Sequence, residues 1–388
     1  NDGDLDLMVC NYVKWSRQID TELAFSMNGR DRAYGPPIQY QGSFPYLYRN
    51  DGGGRFTDVS AAAGVQVKNP ATGAPVAKSL ALVFFDFDRD GFADVLIAND
   101  TVQNFLFHNR RDGTFAEIGL RAGIGFDAEG RATGAMGIDA ARFRDGESVG
   151  VAIGNFANEM TSLFVSGRDP LQFSDQAASE GIGAPSRLSL SFGLFFFDYD
   201  LDGRLDLLQA NGHIEDAIQQ VQPSQHYAQP AQLFWNQGPA ARCCFVPIPA
   251  DTVGDLAQPM VARGAAYADI DGDLDLDVLL VQLNGPPRLL RNEQQLGHHA
   301  LRLVLRGTRS NRNAIGARVI ASFGGQTVEQ TVAPTRSYLS QVELPVTIGL
   351  GTHRAVDQLT IHWPGGAVQK VPVRDLHIDG TTQIVEPR

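Results

Sequence analysis

One pattern recurs along the first three quarters of the chain and constrains its fold more than any other feature. Each copy has a short apolar strand, an Asp-rich loop, a second apolar strand ending near Asn, then Leu-aromatic-x-Asn and a Gly-containing turn leading to Phe. The clearest copies run from Leu82 to Phe115, from Leu194 to Gly238 and from Ala265 to Asn292. Such self-similarity indicates a repeat architecture.

Two further copies are incomplete. The chain opens inside one of them, with NDGDLDLMVCN, and this copy resumes from Tyr46 to Phe56; the other, from Gly134 to Gly167, has lost most of its acidic residues. The loops follow one another at intervals of roughly 55 to 70 residues, which is the length of a four-stranded propeller blade. Helical periodicity is nearly absent, and short β-rich runs favour radial repetition over a two-sheet sandwich. The sequence therefore predicts an all-β fold with a β-propeller of about five blades.

Residues 1–297 resemble the FG-GAP or VCBS-type propellers, the group that includes the integrin α-subunit head. The resemblance implies seven blades in the full protein. We therefore expect the propeller to be truncated at its N-terminus, with the remaining blades and any signal peptide upstream of Asn1.

Bulk composition excludes several functions. With 388 residues, 43% of them hydrophobic, the chain is long enough to bury a large core. A net charge of −12 and the absence of a basic stripe argue against nucleic acid as a partner. No apolar run approaches the roughly 20 residues that span a bilayer. Three cysteines, Cys10, Cys243 and Cys244, do not make a disulfide framework, and we expect buried free thiols.

The Asp-rich loops carry the chemistry. In each complete loop, carboxylates fall at positions 1, 3, 5 and 9, and a backbone carbonyl at position 7 is the expected additional ligand. Hard oxygen ligands in this number suit Ca²⁺ better than Mg²⁺, which prefers to keep its waters. The predicted metal ligands are Asp86, Asp88, Asp90, Phe92 and Asp94; Asp198, Asp200, Asp202, Arg204 and Asp206; and Asp269, Asp271, Asp273, Asp275 and Asp277.

The loops differ in how completely they match. Gly91 and Gly203 occupy position 6, where a sharp turn requires positive φ, whereas Leu274 stands there in the third loop. The opening loop keeps Asp2 and Asp6 as positions 5 and 9, which makes it a partial site. In the degenerate copy Asp145 is the remaining ligand-type side chain, so no ion is expected there. Solvated Asp-rich turns and regulated calcium sensing are the alternatives to a structural ion.

Two long excursions leave the repeat just after the Asn that ends a strand, at residues 12–45 and 212–231. Equivalent points of different blades lie on one propeller face, and insertions there are common places for ligand recognition. Simple loop drift is the alternative. The residues of interest are Trp15, Tyr34, Tyr40, His213, Glu215, Asp216, His226 and Tyr227.

Catalytic residues are not assigned. Gly146 to Gly150 fits the letters of a nucleophile elbow, yet it lies at the tip of a β-hairpin rather than at a strand-to-helix turn. The rival hypothesis is a carbohydrate-active enzyme that uses carboxylates and histidines of the excursions. Glu215 or Asp216 facing another carboxylate about 5–10 Å away would favour it.

From residue 298 to 388 the repeat stops and new short strands predict a small β-domain with a hairpin turn at Gly365 and Gly366. NRNAIGARVIASFGG, SYLSQ, IGLG and IHWPGGAVQKV, in this order, resemble the ASPIC/UnbV domain, which follows an FG-GAP-type propeller in the family of cartilage acidic protein. Arg318, Tyr338 and Trp363 are its most distinctive residues here. The resemblance implies an extracellular, periplasmic or cell-surface calcium-binding protein, and no catalytic activity is attached to the family. The leading hypothesis is a secreted or cell-surface scaffold for adhesion or for binding a protein or glycan ligand.

Overall fold

The computed structural model describes residues 3–29, 31–144 and 146–388. Five antiparallel sheets follow one another along the first part of the chain, as the five copies of the repeat predict. The first and last have three strands and the others have four. Their strands are β1 (Leu7–Val9), β2 (Tyr46–Asn50) and β3 (Phe56–Asp58); β4 (Ser79–Phe85), β5 (Asp94–Asn99), β6 (Phe105–Asn109) and β7 (Phe115–Glu117); β8 (Ile138–Ala141), β9 (Gly150–Ile153), β10 (Ser162–Ser166) and β11 (Phe173–Asp175); β12 (Ser191–Phe197), β13 (Asp206–Asn211), β14 (Gln232–Asn236) and β15 (Phe245–Pro247); and β16 (Ala262–Ala268), β17 (Asp277–Gln282) and β18 (Arg288–Leu290).

Each sheet is one propeller blade. In the second to fifth sheets the first strand lies innermost, whereas β1 of the first sheet follows Asp6 and is equivalent to the second strands of the other blades. Strand β8 packs between β4 and β12, and β12 packs between β8 and β16. Every residue of β8 and β12 is buried, because these strands have neighbours on both faces and along both edges. Separate hydrophobic clusters fill the spaces between consecutive blades. The chain thus has the radial, all-β architecture that the repeat predicts.

Helices are short and lie in the connections between strands. They are α1 (Arg17–Leu23), α2 (Ser60–Ala63), α3 (Gly183–Ser186) and α4 (Ile218–Val221), with 3-10 turns at Pro37–Gln39, Ala250–Thr252, Gly254–Ala257 and Val373–Asp375. The Ser16 side chain accepts a hydrogen bond from the Ile19 amide and so caps α1. None of the helices in the described residues is long and apolar enough to cross a membrane.

The C-terminal part is a two-sheet β-domain. One sheet has the order β24-β19-β27 and the other the order β21-β20-β25-β26, while β22 and β23 form a separate hairpin. The bounds are β19 (His299–Arg306), β20 (Arg318–Phe323), β21 (Gln326–Thr331), β22 (Thr335–Arg336), β23 (Ser340–Gln341), β24 (Val346–Gly351), β25 (Gln358–His362), β26 (Val368–Val371) and β27 (Gly380–Val385). Trp363 is buried in the core between the sheets, where packing explains it.

The hairpin of β22 and β23 reaches into the centre of the propeller. The Ser337 amide donates to the Ile138 carbonyl at 3.0 Å, and its hydroxyl accepts from the Leu194 amide at 3.0 Å. The Ser340 hydroxyl accepts from the Ala265 amide at 3.1 Å. The hairpin therefore leans against the innermost strands of three successive blades.

A buried ion pair fixes this hairpin. Arg336 donates from one Nη atom to both carboxylate oxygens of Asp139 on β8, at 2.8 and 3.0 Å. Burial lowers the pKa of Arg336 and raises the pKa of Asp139, whereas the opposite charge of each group favours the charged form of the other. The pair links the C-terminal domain to the propeller axis.

Replacing Arg336 with Ala should destabilise the fold by about 3–5 kcal/mol, because it removes the positive charge that faces the buried Asp139 carboxylate and leaves only the amides of Phe196 and Ala140 as its donors. Urea unfolding of the full chain measures this. The double variant Asp139→Asn, Arg336→Met should recover much of the loss, since it removes both charges. Arg374→Ala, which removes an exposed pair with Asp375, serves as the control. Equal stability of Arg336→Ala and the wild type would contradict the assigned role.

Candidate functional site

Carboxylates converge in all three complete Asp-rich loops. In each loop three Asp side chains place one oxygen apiece within 4.8 Å of the others. Loop 1 (residues 86–94) and loop 3 (residues 269–277) bring together positions 1, 3 and 5, and loop 2 (residues 198–206) brings together positions 1, 3 and 9. The clusters are Asp86, Asp88 and Asp90; Asp198, Asp200 and Asp206; and Asp269, Asp271 and Asp273. Asp2 and Asp145 lie outside the described residues.

The three loops share one backbone conformation. Position 4 has positive φ in each, at Arg89 (59°), Leu201 (57°) and Gly272 (83°). Position 6 is also left-handed, with φ of 89° at both Gly91 and Gly203 and 80° at Leu274. The substitution of Leu for Gly at position 6 therefore leaves the turn intact, at a strain of roughly 1–2 kcal/mol. Burial of the Leu274 side chain against Leu201 and Ala300 offsets that strain.

The aspartate at position 9 has a second role, which sequence reasoning missed. Asp94 Oδ1 accepts from the Asn109 amide at 2.8 Å, and Asp206 Oδ1 accepts from the Asn236 amide at 2.7 Å. The equivalent bonds run from Asn292 to Asp277 at 2.9 Å and from Asn50 to Asp6 at 2.8 Å. This clamp joins the loop to the third strand of its own blade. The Leu-aromatic-x-Asn motif was its signal in the sequence.

In loop 2 the converging cluster contains the position-9 residue Asp206 in place of the position-5 residue Asp202. The Asp202 carboxylate pairs with Arg204, whereas Asp206 turns its carboxylate toward Asp198 and Asp200. The Asp200 carboxylate also accepts from Trp235 Nε1 at 3.0 Å. The sequence placed a carbonyl ligand at Phe92, Arg204 and Asp275, and this assignment stays a prediction.

Electrostatics of the loops favour a cation. Burial raises the pKa of Asp198 and Asp206 well above the usual aspartate range, and the neighbouring carboxylates add to the effect. Burial and Asp200 raise the pKa of Asp202 to about 6. Arginines already neutralise part of this charge, at Asp90 (Arg111, 2.6 Å) and Asp271 (Arg291, 2.5 Å). The donor set of hard, mutually repelling oxygens fits a divalent cation.

The two excursions meet each other on the face of the propeller opposite the loops. The Tyr34 amide donates to Glu215 Oε1 at 2.7 Å, joining one excursion to the other. Arg263 donates to the carbonyls of Gly212 and His213 at 3.0 and 3.1 Å. Its guanidinium also stacks 4.3 Å above the Phe192 ring.

The predicted excursion residues divide into buried and exposed ones. Tyr40, His213 and Glu215 are buried, and burial lowers the pKa of His213 to about 4. His213 is a neutral structural residue at neutral pH, with Nδ1 accepting from the Glu215 amide at 3.0 Å. Trp15 and Tyr34 are 60% and 66% exposed. Asp216 and His226 are also exposed, and Tyr227 is half-buried.

Two acidic residues on the same face, buried Asp100 and half-buried Glu159, were not recognised as neighbours in the sequence. The Tyr12 hydroxyl donates to Asp100 Oδ2 at 2.5 Å, and Glu159 Oε2 accepts from the Gly134 amide at 2.8 Å. A Cβ atom on Gly134 would lie 3.4 Å from Asp100 Oδ1 and 3.5 Å from Glu159 Oε2, so the glycine leaves room between the carboxylates. Burial raises the pKa of Asp100 to about 6, and Glu159 contributes.

Asp100→Asn should make the protein more stable above pH 6. Because the folded-state pKa is raised, the folded protein holds this proton more tightly than the unfolded chain, and stability falls as pH rises from about 4 to 6. The neutral amide removes that loss, on the order of 1–3 kcal/mol at pH 8, and gives no gain near pH 4. Urea unfolding across this range, at fixed calcium, measures it.

The matched control is Asp169→Asn, in an exposed turn, which should show no such gain. A variant Asp100→Asn that is less stable than the wild type at every pH would show that the carboxylate is needed in its charged form.

Comparison with known families defines the class of protein. Residues 86–144 match the FG-GAP-like repeat, and residues 307–388 match the family described as ASPIC and UnbV. The first match spans the second blade and reaches into the third, and the second match spans most of the C-terminal domain.

Curated relatives over most of the chain carry one name. Human cartilage acidic protein 1 is 25% identical over 342 residues, which is 85% of this chain and 46% of the relative. Cartilage acidic protein 1 of Xenopus tropicalis is 26% identical over 306 residues, 76% of this chain and 43% of the relative. The chain thus spans somewhat less than half the length of these relatives.

Similar solved structures include propeller lectins. One is an Agrocybe aegerita lectin that recognises non-reducing terminal N-acetylglucosamine, with a TM-score of 0.39 and 14% identity, covering 80% of this chain and 82% of the lectin. Another is the fucose-specific lectin of Aleuria aurantia, with a TM-score of 0.33 and 10% identity over 90% of this chain and 91% of the lectin. Likenesses at these scores say nothing about what this chain binds.

Proposed function

We propose that this chain is part of an extracellular, calcium-loaded binding scaffold and that it is not an enzyme. The observation that carries the proposal is the threefold recurrence of one loop conformation with three convergent carboxylates. Isolated acidic surface groups have no reason to adopt the same backbone turn three times. A shared ligand gives that reason.

Calcium is the cation that these residues fit best. The predicted shell of carboxylate and carbonyl oxygens supplies the six to eight hard ligands that Ca²⁺ takes, while sulfur and imidazole ligands for a transition metal are absent from the three clusters. An empty loop holds mutually repelling carboxylates, each pair costing a few kcal/mol at an effective dielectric of about 20. The ion therefore acts as a structural ligand of the blade hairpins.

The location and the kind of activity rest on the relatives. Proteins named cartilage acidic protein 1 match most of this chain, which favours an extracellular setting. Extracellular calcium modules bind with dissociation constants of about 0.1–1 mM. Loops of this affinity would be filled outside cells.

Ligand recognition belongs on the excursion face. The excursions are joined by the bond between Tyr34 and Glu215, and the first of them displays the exposed side chains of Trp15 and Tyr34. Aromatic side chains on a rigid frame suit a protein or glycan partner. The glycosidase alternative has less support, because Glu215 Oε1 is engaged by the backbone amide of Tyr34 across the excursions.

Millimolar calcium should raise the melting temperature of the chain relative to excess chelator. Each filled site adds roughly 2–3 kcal/mol when calcium is in hundredfold excess over its dissociation constant. Asp88→Asn should lower this calcium-dependent gain, because it removes one charge from loop 1 and keeps the size of the side chain. Differential scanning calorimetry gives the gain, and isothermal titration should count about three sites.

The matched control is Asp112→Asn in the third turn of the same blade. Asp112 accepts from the amide and hydroxyl of Thr114 and belongs to none of the carboxylate clusters, so its variant should respond to calcium as the wild type does. Coincident melts in chelator and in calcium would refute the structural ion.

A further inference from the structure

All three acidic loops contact the C-terminal domain. The loops connect the first and second strands of blades two, four and five, and each of them makes a polar contact with a residue of the C-terminal domain. The contacts involve loop backbone as well as side chains. The candidate cation sites and the interface between domains are therefore the same surface.

Loop 2 makes the closest approach. The Gly351 amide donates to the Leu201 carbonyl at 2.8 Å, and His298 Nδ1 lies 2.6 Å from the Asp200 carbonyl oxygen. A Cβ atom on Gly349 would lie 2.2 Å from Asp198 Oδ2 and 2.4 Å from the Leu201 carbonyl carbon. Strand β24 thus needs a glycine to pass the loop in its observed conformation.

Loop 1 reaches the C-terminal domain through its position-4 side chain. Arg89 Nη2 donates to Glu329 Oε2 at 3.0 Å, and Arg142 from the neighbouring blade donates to Glu329 Oε1 at 3.1 Å. Glu329, on β21, is buried. Arginines from two neighbouring blades therefore bind one carboxylate of the C-terminal domain. Because Arg89 is the position-4 residue of loop 1, its position depends on the turn of that loop.

Loop 3 contributes an ion pair and an apolar contact. Arg302 Nη1 of β19 lies 3.5 Å from Asp269 Oδ2, and Arg302 also pairs with Glu343. Leu274 packs with Leu201 and Ala300 in a small cluster that joins two loops to the C-terminal domain. Arg302 keeps Glu343 as its partner when Asp269 turns toward a cation.

We propose that cation binding by the loops and docking of the C-terminal domain on the propeller are thermodynamically linked. In a filled loop the carboxylates turn inward toward the ion. The loop carbonyls and the position-4 side chains then point outward, and these are the groups that contact the C-terminal domain. This inference rests on the proposed calcium sites. Linkage is reciprocal: whatever weakens docking weakens calcium binding by the same factor.

The test uses the full chain with Ca²⁺ as the probe. Gly349→Ala should push β24 away from loop 2 and lower the calcium affinity of at least one site about fivefold or more. Glu329→Gln should act in the same direction through loop 1, since the amide is a weaker partner for Arg89 and Arg142. Isothermal titration measures the affinities, and Val368→Thr, an exposed change on β26 of the same domain, should bind as the wild type does.

Hydrogen exchange supplies the reciprocal readout. In the wild type, removing calcium should speed the exchange of the Ser337 and Val342 amides, which are hydrogen-bonded to Ile138 and Pro334 at the axial hairpin. Near-ultraviolet circular dichroism checks that the core around Trp363 stays folded in each variant. If Gly349→Ala alters that core, Glu329→Gln decides the question.

The outcomes separate the two proposals. Equal calcium affinities in the wild type, Gly349→Ala and Glu329→Gln, with hairpin exchange unchanged by chelator, would overturn the linkage and leave the calcium sites standing. A wild type that takes up no calcium in titration would overturn the proposed function itself.

Discussion

Every blade of this protein is a small twisted sheet with two apolar faces, and no such sheet is stable alone. Burial of about 25 cal/mol per Å² of apolar surface is available only when a second sheet covers the first. The clusters between consecutive blades meet this need one interface at a time. Because the innermost strands lie side by side, every residue of β8 and β12 is buried. The arrangement of the blades around an axis, and with it the placement of the loops at the ends of the strands, follows from this need for a covering neighbour.

Within a blade, the aspartate at position 9 of the acidic loop joins the loop to a neighbouring strand. Its carboxylate accepts a hydrogen bond from the amide of the Asn that ends the Leu-aromatic-x-Asn motif. The same bond joins Asp6 and Asn50 in the first blade. In loop 2 this residue, Asp206, also belongs to the cluster of converging carboxylates. The bond explains why the acidic loop and the Leu-aromatic-x-Asn motif occur together in each copy.

The C-terminal domain is a structural partner of the propeller and not an appended module. Its hairpin hydrogen-bonds to three innermost strands and holds a charged pair, Arg336 with Asp139, in the interior. A buried pair of this kind contributes little net stability but strongly disfavours arrangements that separate its partners. It therefore fixes how the two domains sit on each other, with the acidic loops between them and the excursions on the open face.

The sequence by itself determined the repeat, the all-β class, the positions of the acidic loops and the start of a second β-domain near residue 298, because period, alternation and turn residues are local properties. It also gave the Asp residues that converge, although not that Asp206 replaces Asp202 in loop 2. The sequence did not predict strand β27, because its parallel pairing with β19 joins residues that are far apart in the chain. The tertiary structure alone decided that Arg336 meets Asp139, that Asp100 lies near Glu159, and that all three loops face the C-terminal domain. Those contacts join residues tens to hundreds of positions apart, and only the packing of blades around an axis brings them together.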